Sequence, residues 1–266
     1  MVKKVRVVDL SLEIREGLPG VLGAQIKYLN HKDSVPEMLA SWPGIKPEDL
    51  PGGQGWAAET VTLNTHSGTH MDAPYHYYST MAGQKSRTID EMPLEWAYGS
   101  GVVLDMRHKK PGEVITPEDV QTALRKMKYT LRPLDIVLVM TGADKYWGVD
   151  IRKYVSEYAG MGRDATVWLI KQGIKLVGTD AVGWDRAFAV QAKEFRETGN
   201  KALIWEGHFA GIEGEYYQME KLTNLDKLPP HGFTVYCFPI KIFQAGAAWV
   251  RPVAIVEEHV RTRRAA

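Results

Sequence analysis

The sequence contains a single cysteine, Cys237, among 266 residues, so no intramolecular disulfide can form. Cys237 lies in the apolar run 233–240 and is expected to be a buried strand thiol. No stretch reaches the ~18 uninterrupted apolar residues that a membrane-spanning helix requires, and the N-terminus meets charge too early for the apolar core of a signal peptide. We therefore expect a soluble, cytoplasmic protein that does not bind membranes.

Neither sign of charge is in excess. The 33 basic and 32 acidic side chains leave a formal net charge of +1, which gives nucleic acid no electrostatic advantage as a partner. Three arginines near the C-terminus lack interleaved aromatic residues and are interpreted as a solvated tail: Arg261, Arg263 and Arg264. No repeat or linker divides the chain, so we predict a single domain over residues 1–266. The expected partners are a small-molecule substrate and further copies of the chain, in a homo-oligomer that is a dimer or a tetramer.

Short apolar runs recur along the chain and predict strands at residues 5–10, 61–63, 102–106, 136–140, 175–177, 233–238 and 250–257. Two helices are predicted between them, one capped by Thr116 with Pro117 at its first position, the other capped by Asp164 and ending at Gly173. Helices are too few for one per strand, so the fold class is α/β with a mixed, barrel-like sheet flanked by a few helices. The segments at about 30–55 and 185–200 are expected to be long loops.

Three histidines and one aspartate fall within eleven residues: His66, His70, Asp72 and His76. Imidazole nitrogen and carboxylate oxygen are ligands of Zn²⁺, and Mn²⁺ becomes suitable as oxygen ligands accumulate. Because the four residues are separated by even steps, they would project to one side of an extended chain. Gly68 and Pro74 disfavour a helix here, so we predict a metal site on an extended segment followed by a turn at Ala73–Pro74.

The segment 66–76 resembles the H-x-G-T-H-x-D-x-P-x-H signature of the cyclase family of metal-dependent hydrolases. That family includes bacterial kynurenine formamidase, isatin hydrolase and a zinc-dependent dienelactone hydrolase. The resemblance extends to Asp9-Leu10-Ser11, to Thr141-Gly142 with Tyr146-Trp147, and to residues 208–228. It implies a swivelling β/β/α-type fold and hydrolysis by metal-activated water.

The same resemblance implies a set of metal ligands. A first ion, Zn²⁺ or Mn²⁺, would be held by His66, His70 and Asp72. In members with two ions, Asp72 bridges to a second ion held by His208 and Glu220, twelve residues apart here. From the residues alone, Glu213 and Glu215 are rivals to Glu220, and one or two ions are both compatible with the sequence.

His76 is the expected acid and base of the reaction, since an imidazole with its ordinary pKa near ~6.5 can take a proton from water and return it to a leaving group. The predicted activity is hydrolysis of an amide, a cyclic amide or a lactone or ester. A metal-assisted lyase or dehydratase could use the same groups, and a non-catalytic metal-binding protein is a third reading. A pure binding site would not need an unligated base beside the ion, so His76 favours an enzyme.

Four residues are candidate substrate contacts: Trp147, Asp180, Trp184 and Arg186. Aromatic residues are frequent near the motif, which makes an aromatic substrate a candidate. Asp180 follows a buried strand, where loops often form the mouth of a site, and Arg186 is suited to pairing with a substrate carboxylate. Kynurenine formamidases of the family carry an early Trp, but residues 16–20 contain none, so the substrate itself is not predicted.

Overall fold

The structure is a computed structural model that describes residues 2–19 and 22–260. The chain divides into two compact units, Met1–Glu13 with Gly68–Ala266 and Ile14–Ser67. A single domain over residues 1–266 stays a prediction. The arginines predicted to form a solvated tail, at 261, 263 and 264, lie outside the described residues. Among the described helices, none has the length and apolarity needed to cross a bilayer.

Fifteen strands and seven α-helices are assigned within the described ranges. In chain order the strands are β1 (Val2–Asp9), β2 (Ala24–Leu29), β3 (Ala58–Leu63), β4 (His70–Asp72), β5 (Thr80–Met81), β6 (Gln84–Lys85), β7 (Tyr98–Asp105), β8 (Val114–Ile115), β9 (Ile136–Met140), β10 (Gly160–Met161), β11 (Leu176–Thr179), β12 (Tyr217–Glu220), β13 (His231–Tyr236), β14 (Ala247–Trp249) and β15 (Val253–Val260). The helices are α1 (Val35–Ser41), α2 (Pro74–Tyr77), α3 (Pro117–Met127), α4 (Ile151–Tyr154), α5 (Arg163–Lys171), α6 (Phe188–Thr198) and α7 (Glu206–Phe209).

The larger unit is built on a curled nine-stranded sheet in the order β1-β15-β13-β7-β9-β11-β12-β4-β14. Its four central strands, β7, β9, β11 and β12, run parallel to one another. The strands beyond them pair antiparallel: β13, β15 and β1 on one side, β4 and β14 on the other. This architecture confirms the predicted α/β class with a mixed, barrel-like sheet.

Side chains that alternate along the strands of the sheet pack into two separate apolar cores, one on each face. Val102 and Leu104 of β7 pack in a cluster that includes residues of α3 and α5, whereas Val103 packs in the cluster on the opposite face. Successive side chains of a strand point to opposite faces, so strands buried on both faces read as continuous apolar runs. Cys237 is buried in the second cluster as predicted, just past β13, and burial raises the pKa of its thiol.

The two predicted helices are present. Thr116 caps α3, and Asp119 completes a reciprocal capping box with it. The second helix, α5, begins at Arg163 with Gly162 as its cap, so the prediction of Asp164 as the cap is wrong. Asp164 lies in the first turn instead, where a carboxylate interacts favourably with the helix dipole.

Both segments expected to be long loops contain a helix, so this expectation is corrected. The segment at 185–200 carries α6, in which Gln191 is the one buried residue. Its side-chain amide donates to the Arg186 carbonyl and accepts from the Trp205 backbone N–H. Polar contacts therefore hold α6, which explains why no apolar stripe marks it. The segment at 30–55 carries α1, and Pro36 sits in its first turn, where the missing N–H costs nothing.

The smaller unit is organised around an antiparallel hairpin. Strands β2 and β3 pair from Ala24 with Leu63 to Leu29 with Ala58. Helix α1 and two short 3-10 turns lie between them in sequence. The buried Ser34 hydroxyl donates to the Trp56 carbonyl at 2.6 Å and fastens the start of α1 to the segment before β3.

Replacing Thr116 by Ala is expected to lower the free energy of unfolding by about 1 kcal/mol, because the N-cap hydroxyl that accepts from the Asp119 backbone N–H is lost. Urea denaturation followed by circular dichroism measures this change. Thr130→Ala, the same substitution at an exposed position outside any helix, is the matched control. Equal stability of the two variants would contradict the capping role.

Candidate metal centre and active site

The pairing of β4 with β12 brings together the polar side chains of two strands. In this antiparallel register His70 lies opposite Glu220, and Asp72 lies opposite Gln218. All four residues are buried. On the other side of β4, Ala247 of β14 lies opposite Asp72. Cross-strand partners on one face have side chains within reach of each other, so the register alone assembles a buried polar cluster.

The imidazole of His70 is oriented for ligation. Its Nδ1 donates to the Gly68 carbonyl at 3.1 Å, which leaves Nε2 with a lone pair aimed at two carboxylates. Nε2 lies 3.1 Å from Asp72 Oδ1 and 3.6 Å from Glu220 Oε2. Gly68 has φ of 61°, a left-handed conformation that glycine adopts without steric cost. The glycine of the motif thus shapes the turn that holds the histidine.

The motif segment is not extended throughout, and this corrects the sequence prediction. Residues 65–69 form turns and bends, β4 covers only three residues, and α2 begins at Pro74. Proline is well suited to a first helical position because its fixed φ matches the helix and no N–H is needed there. The chain therefore turns at Ala73–Pro74 as predicted, but continues as one helical turn that carries His76.

His66 and His76 flank this strand in sequence. His66 belongs to the smaller unit and is half-buried. Its backbone N–H donates to Asn64 Oδ1 at 2.9 Å. His76 is half-buried in the larger unit. Its ring lies 5.7 Å from the His208 ring and 5.2 Å from the Trp205 ring, measured between centroids. The candidate acid/base thus lies beside His208, the histidine predicted to bind the second ion.

His208 is positioned by a residue that the sequence prediction missed. Asp185 accepts hydrogen bonds from the backbone N–H groups of Gly207 and His208 at 2.7 and 3.0 Å, and its Oδ2 also contacts His208 Nδ1. The Trp205 ring stacks on the imidazole at 4.3 Å between centroids. His208 Nε2 is thereby directed at Glu220 Oε1, 3.4 Å away, and at Asp72 Oδ2, 3.8 Å away.

Gln218 is the second residue that sequence reasoning missed. Its amide nitrogen lies 2.7 Å from His208 Nε2, 2.9 Å from Glu220 Oε1 and 3.2 Å from Asp72 Oδ2. The signal was present in the strand alternation, because residues two apart on a strand share a face. Glu220 itself accepts the backbone N–H of Trp184 at 2.9 Å, which fixes the direction of its carboxylate.

The pKa values of Glu220 and His208 are each set by opposing effects of burial and of neighbouring charges. Burial and the charge of Asp72 act to raise the pKa of Glu220, but His208 and the buried Lys221 stabilise the carboxylate and bring it to about 2. Burial acts to lower the pKa of His208, and Asp185 more than offsets this, so that pKa is raised well above its usual value. Glu220 is therefore ionised at neutral pH, as a ligand carboxylate must be.

The chemistry of the donors fits a divalent metal ion. His70, Asp72 and Glu220 are buried and offer three ligand atoms that lie within 4.8 Å of one another. One imidazole nitrogen with two carboxylate oxygens suits Zn²⁺ or Mn²⁺. The two rivals of Glu220 are engaged elsewhere, since Glu213 pairs with Arg163 and Glu215 with Arg87.

The structure gives three of the four candidate substrate residues other roles. Asp180 is buried and accepts hydrogen bonds from the backbone of residues 141 and 142. Trp184 is 1% exposed, and its indole N–H donates to Thr166. Arg186 is 3% exposed and forms ion pairs with Glu194 and Glu206, so two carboxylates already neutralise its guanidinium.

Trp147 differs from those three because it is only half-buried. Its ring packs edge-to-face on Tyr154 at 5.2 Å between centroids. Both rings belong to a third apolar cluster of the larger unit, which also contains Ala143. A substrate contact by Trp147 stays a prediction.

Comparison with known proteins decides the family. Residues 8–186 match the model of the Cyclase family, whose description reads "Putative cyclase". The chain belongs to the Cyclase family. Among its relatives is the kynurenine formamidase of Bordetella avium, 26% identical over 229 residues that span 81% of this chain and 93% of the relative.

Solved structures share the fold of this cyclase-family chain. An isatin hydrolase bound to the product analogue thioisatinate superposes with a TM-score of 0.74 at 21% identity and covers 96% of this chain and 93% of its own. A "potential metal-dependent hydrolase with cyclase activity" superposes with a TM-score of 0.60 at 20% identity and covers 96% and 100%. The predicted family membership is confirmed.

Replacing Asp180 by Asn tests its structural role. We expect a loss of about 2 kcal/mol in the free energy of unfolding, because one side-chain N–H₂ would face a backbone N–H that now donates to the carboxylate. Urea denaturation measures the loss, with Asp226→Asn at an exposed position as the control. Unchanged stability together with a raised KM would return Asp180 to substrate binding.

Proposed function

We propose that this protein is a metal-dependent hydrolase that opens an amide, cyclic amide or lactone or ester bond of a small molecule. The observation that carries the proposal is the buried trio of His70, Asp72 and Glu220, whose ligand atoms lie within 4.8 Å of one another. An imidazole and two carboxylates buried at this spacing form a donor set that a divalent cation can join. The names of the relatives, a kynurenine formamidase and an isatin hydrolase, support a hydrolase acting on an amide.

Two paired strands would supply the ligands of the ion. His70 and Asp72 enter from β4 and Glu220 from β12. His66 stays a predicted ligand, as the resemblance of the motif to the family signature implies. An ion held there supplies a Lewis acid that polarises a carbonyl and a water acidic enough to attack it near neutral pH. Thr69 stabilises the arrangement, because its hydroxyl donates to the Lys221 carbonyl beside Glu220 and accepts from the Leu12 backbone.

His76 is the group we assign to proton transfer. It lies on α2, past the turn that follows Asp72, and its half-buried ring is reachable by a substrate. Aromatic rings surround it: Tyr77 at 6.1 Å and Trp205 at 5.2 Å between centroids. Flat apolar surfaces next to a polar centre suit an aromatic amide. Kynurenine formamidases carry an early Trp that residues 16–20 lack. In this proposal Trp205 supplies the aromatic surface for the substrate instead.

The metal-loaded protein is expected to hydrolyse one class in a panel of formamides, cyclic imides and lactones, and to deposit solvent oxygen in the product carboxylate. Mass spectrometry of reactions in ¹⁸O-water measures that oxygen. His70→Ala is expected to lose both metal and activity, because one of few ligands is removed. Turnover without ¹⁸O in a carboxylate would indicate lyase or dehydratase chemistry, and metal binding without turnover of any compound would favour a storage protein.

His76→Ala is expected to keep its metal while turnover falls by roughly 10² to 10⁴-fold, the usual contribution of a positioned acid/base. Inductively coupled plasma mass spectrometry measures the metal, and steady-state kinetics the turnover. His31→Ala, which removes an exposed histidine of the smaller unit, is the control. Loss of metal in His76→Ala, to the extent seen in His70→Ala, would make His76 a ligand and not the base.

Two expectations accompany this proposal. A homo-oligomer, either a dimer or a tetramer, stays a prediction, and so does a cytoplasmic location. The metal identity is proposed as Zn²⁺ or Mn²⁺ on donor chemistry alone.

A further inference from the structure

This inference rests on the proposed function, a metal-dependent hydrolase. The carboxylates of Asp72 and Glu220 each face His70 with one oxygen and His208 with the other, which creates two possible cation positions. In the first position, His70 Nε2 faces Asp72 Oδ1 at 3.1 Å and Glu220 Oε2 at 3.6 Å. In the second, His208 Nε2 faces Glu220 Oε1 at 3.4 Å and Asp72 Oδ2 at 3.8 Å. Ligands about 2.1 Å from a tetrahedral ion lie about 3.4 Å apart, so the donor spacing suits an ion at either position.

The second position already contains a side chain. The amide nitrogen of Gln218 lies among its three donor atoms, at 2.7 Å from His208 Nε2, 2.9 Å from Glu220 Oε1 and 3.2 Å from Asp72 Oδ2. Gln218 is fully buried, so its amide has little room to move aside. The two strands hold it in place, because Gln218 is the register partner of Asp72.

The orientation of this amide follows from its neighbours. Ionised carboxylates only accept hydrogen bonds, so the N–H₂ group and not the carbonyl oxygen must face Asp72 and Glu220. The carbonyl oxygen, Oε1, lies on the other side, 3.1 Å from the Tyr216 hydroxyl. An amide N–H₂ has no lone pair to offer a metal ion, and its two N–H bonds serve the two carboxylate oxygens, Asp72 Oδ2 and Glu220 Oε1, that an ion would use.

We propose that the Gln218 amide fills the second cation position and limits this protein to one divalent ion per chain, bound on the His70 side of the two carboxylates. His208, whose Nδ1 is held by Asp185, then supports the amide instead of binding metal. The twelve-residue spacing of His208 and Glu220 is kept in the sequence, but the strand residue two before Glu220 decides whether a second ion can enter.

Metal stoichiometry tests the proposal directly. The full-length protein is stripped with a chelator, reloaded with excess Mn²⁺, desalted and analysed by inductively coupled plasma mass spectrometry. Electron paramagnetic resonance of the same samples separates an isolated Mn²⁺ ion from two exchange-coupled ions. We expect one ion and an uncoupled spectrum for the wild type. Gln218→Ala, and independently the shorter Gln218→Asn, should bind two ions and show coupling.

The double variant Gln218→Ala/His208→Ala is the matched control, and it should return to one ion because the second position loses its histidine. Two ions in the wild type would overturn the proposal, and so would one ion in both Gln218 variants. Loss of the wild-type ion in Gln218→Ala would also overturn it, since the amide would then be a ligand. A wild type that binds no Mn²⁺ or Zn²⁺ under any loading would instead refute the proposed function itself.

Discussion

The antiparallel register between β4 and β12 is the constraint on which the site depends. It sets His70 against Glu220 and Asp72 against Gln218, although about 150 residues separate the two strands in sequence. A shift of β4 by one residue would turn His70 and Asp72 to the face opposite Gln218 and Glu220. The apolar clusters on both faces of the sheet oppose such a shift. The packing of the larger unit therefore protects the geometry of the polar cluster.

The side chains of the site lie on strands and short helices that differ in stability. β4 and β12 lie inside the nine-stranded sheet, with a neighbouring strand on each side. The helices α2 and α7, which carry His76 and His208, are only four residues long, too short to be stable alone. Side-chain contacts hold them instead. His70, Asp72 and Glu220 thus lie on paired strands of the sheet, whereas the proposed proton-transfer group, His76, lies on a short helix where small movements cost less.

Sequence reasoning succeeded where the signal was local. The signature that indicated the family, the α3 cap at Thr116 and the continuous apolar runs of the central strands each depend on residues near in sequence. It failed where distant contacts decide. Helix α6 is held by the amide of Gln191 rather than by an apolar stripe. Gln218 gained its importance only once strand pairing placed it opposite Asp72.

Asp185 has a consequence that reaches beyond its hydrogen bonds. One carboxylate accepts the backbone N–H groups of the second and third residues of α7, Gly207 and His208, and also holds the ring of His208. The helix and the imidazole therefore form one cooperative unit, in which the rotamer of the histidine is linked to the folding of its own helical turn. Any solvent condition or neighbouring change that frays this turn also misdirects the ring, so disorder of the backbone and loss of site geometry occur together.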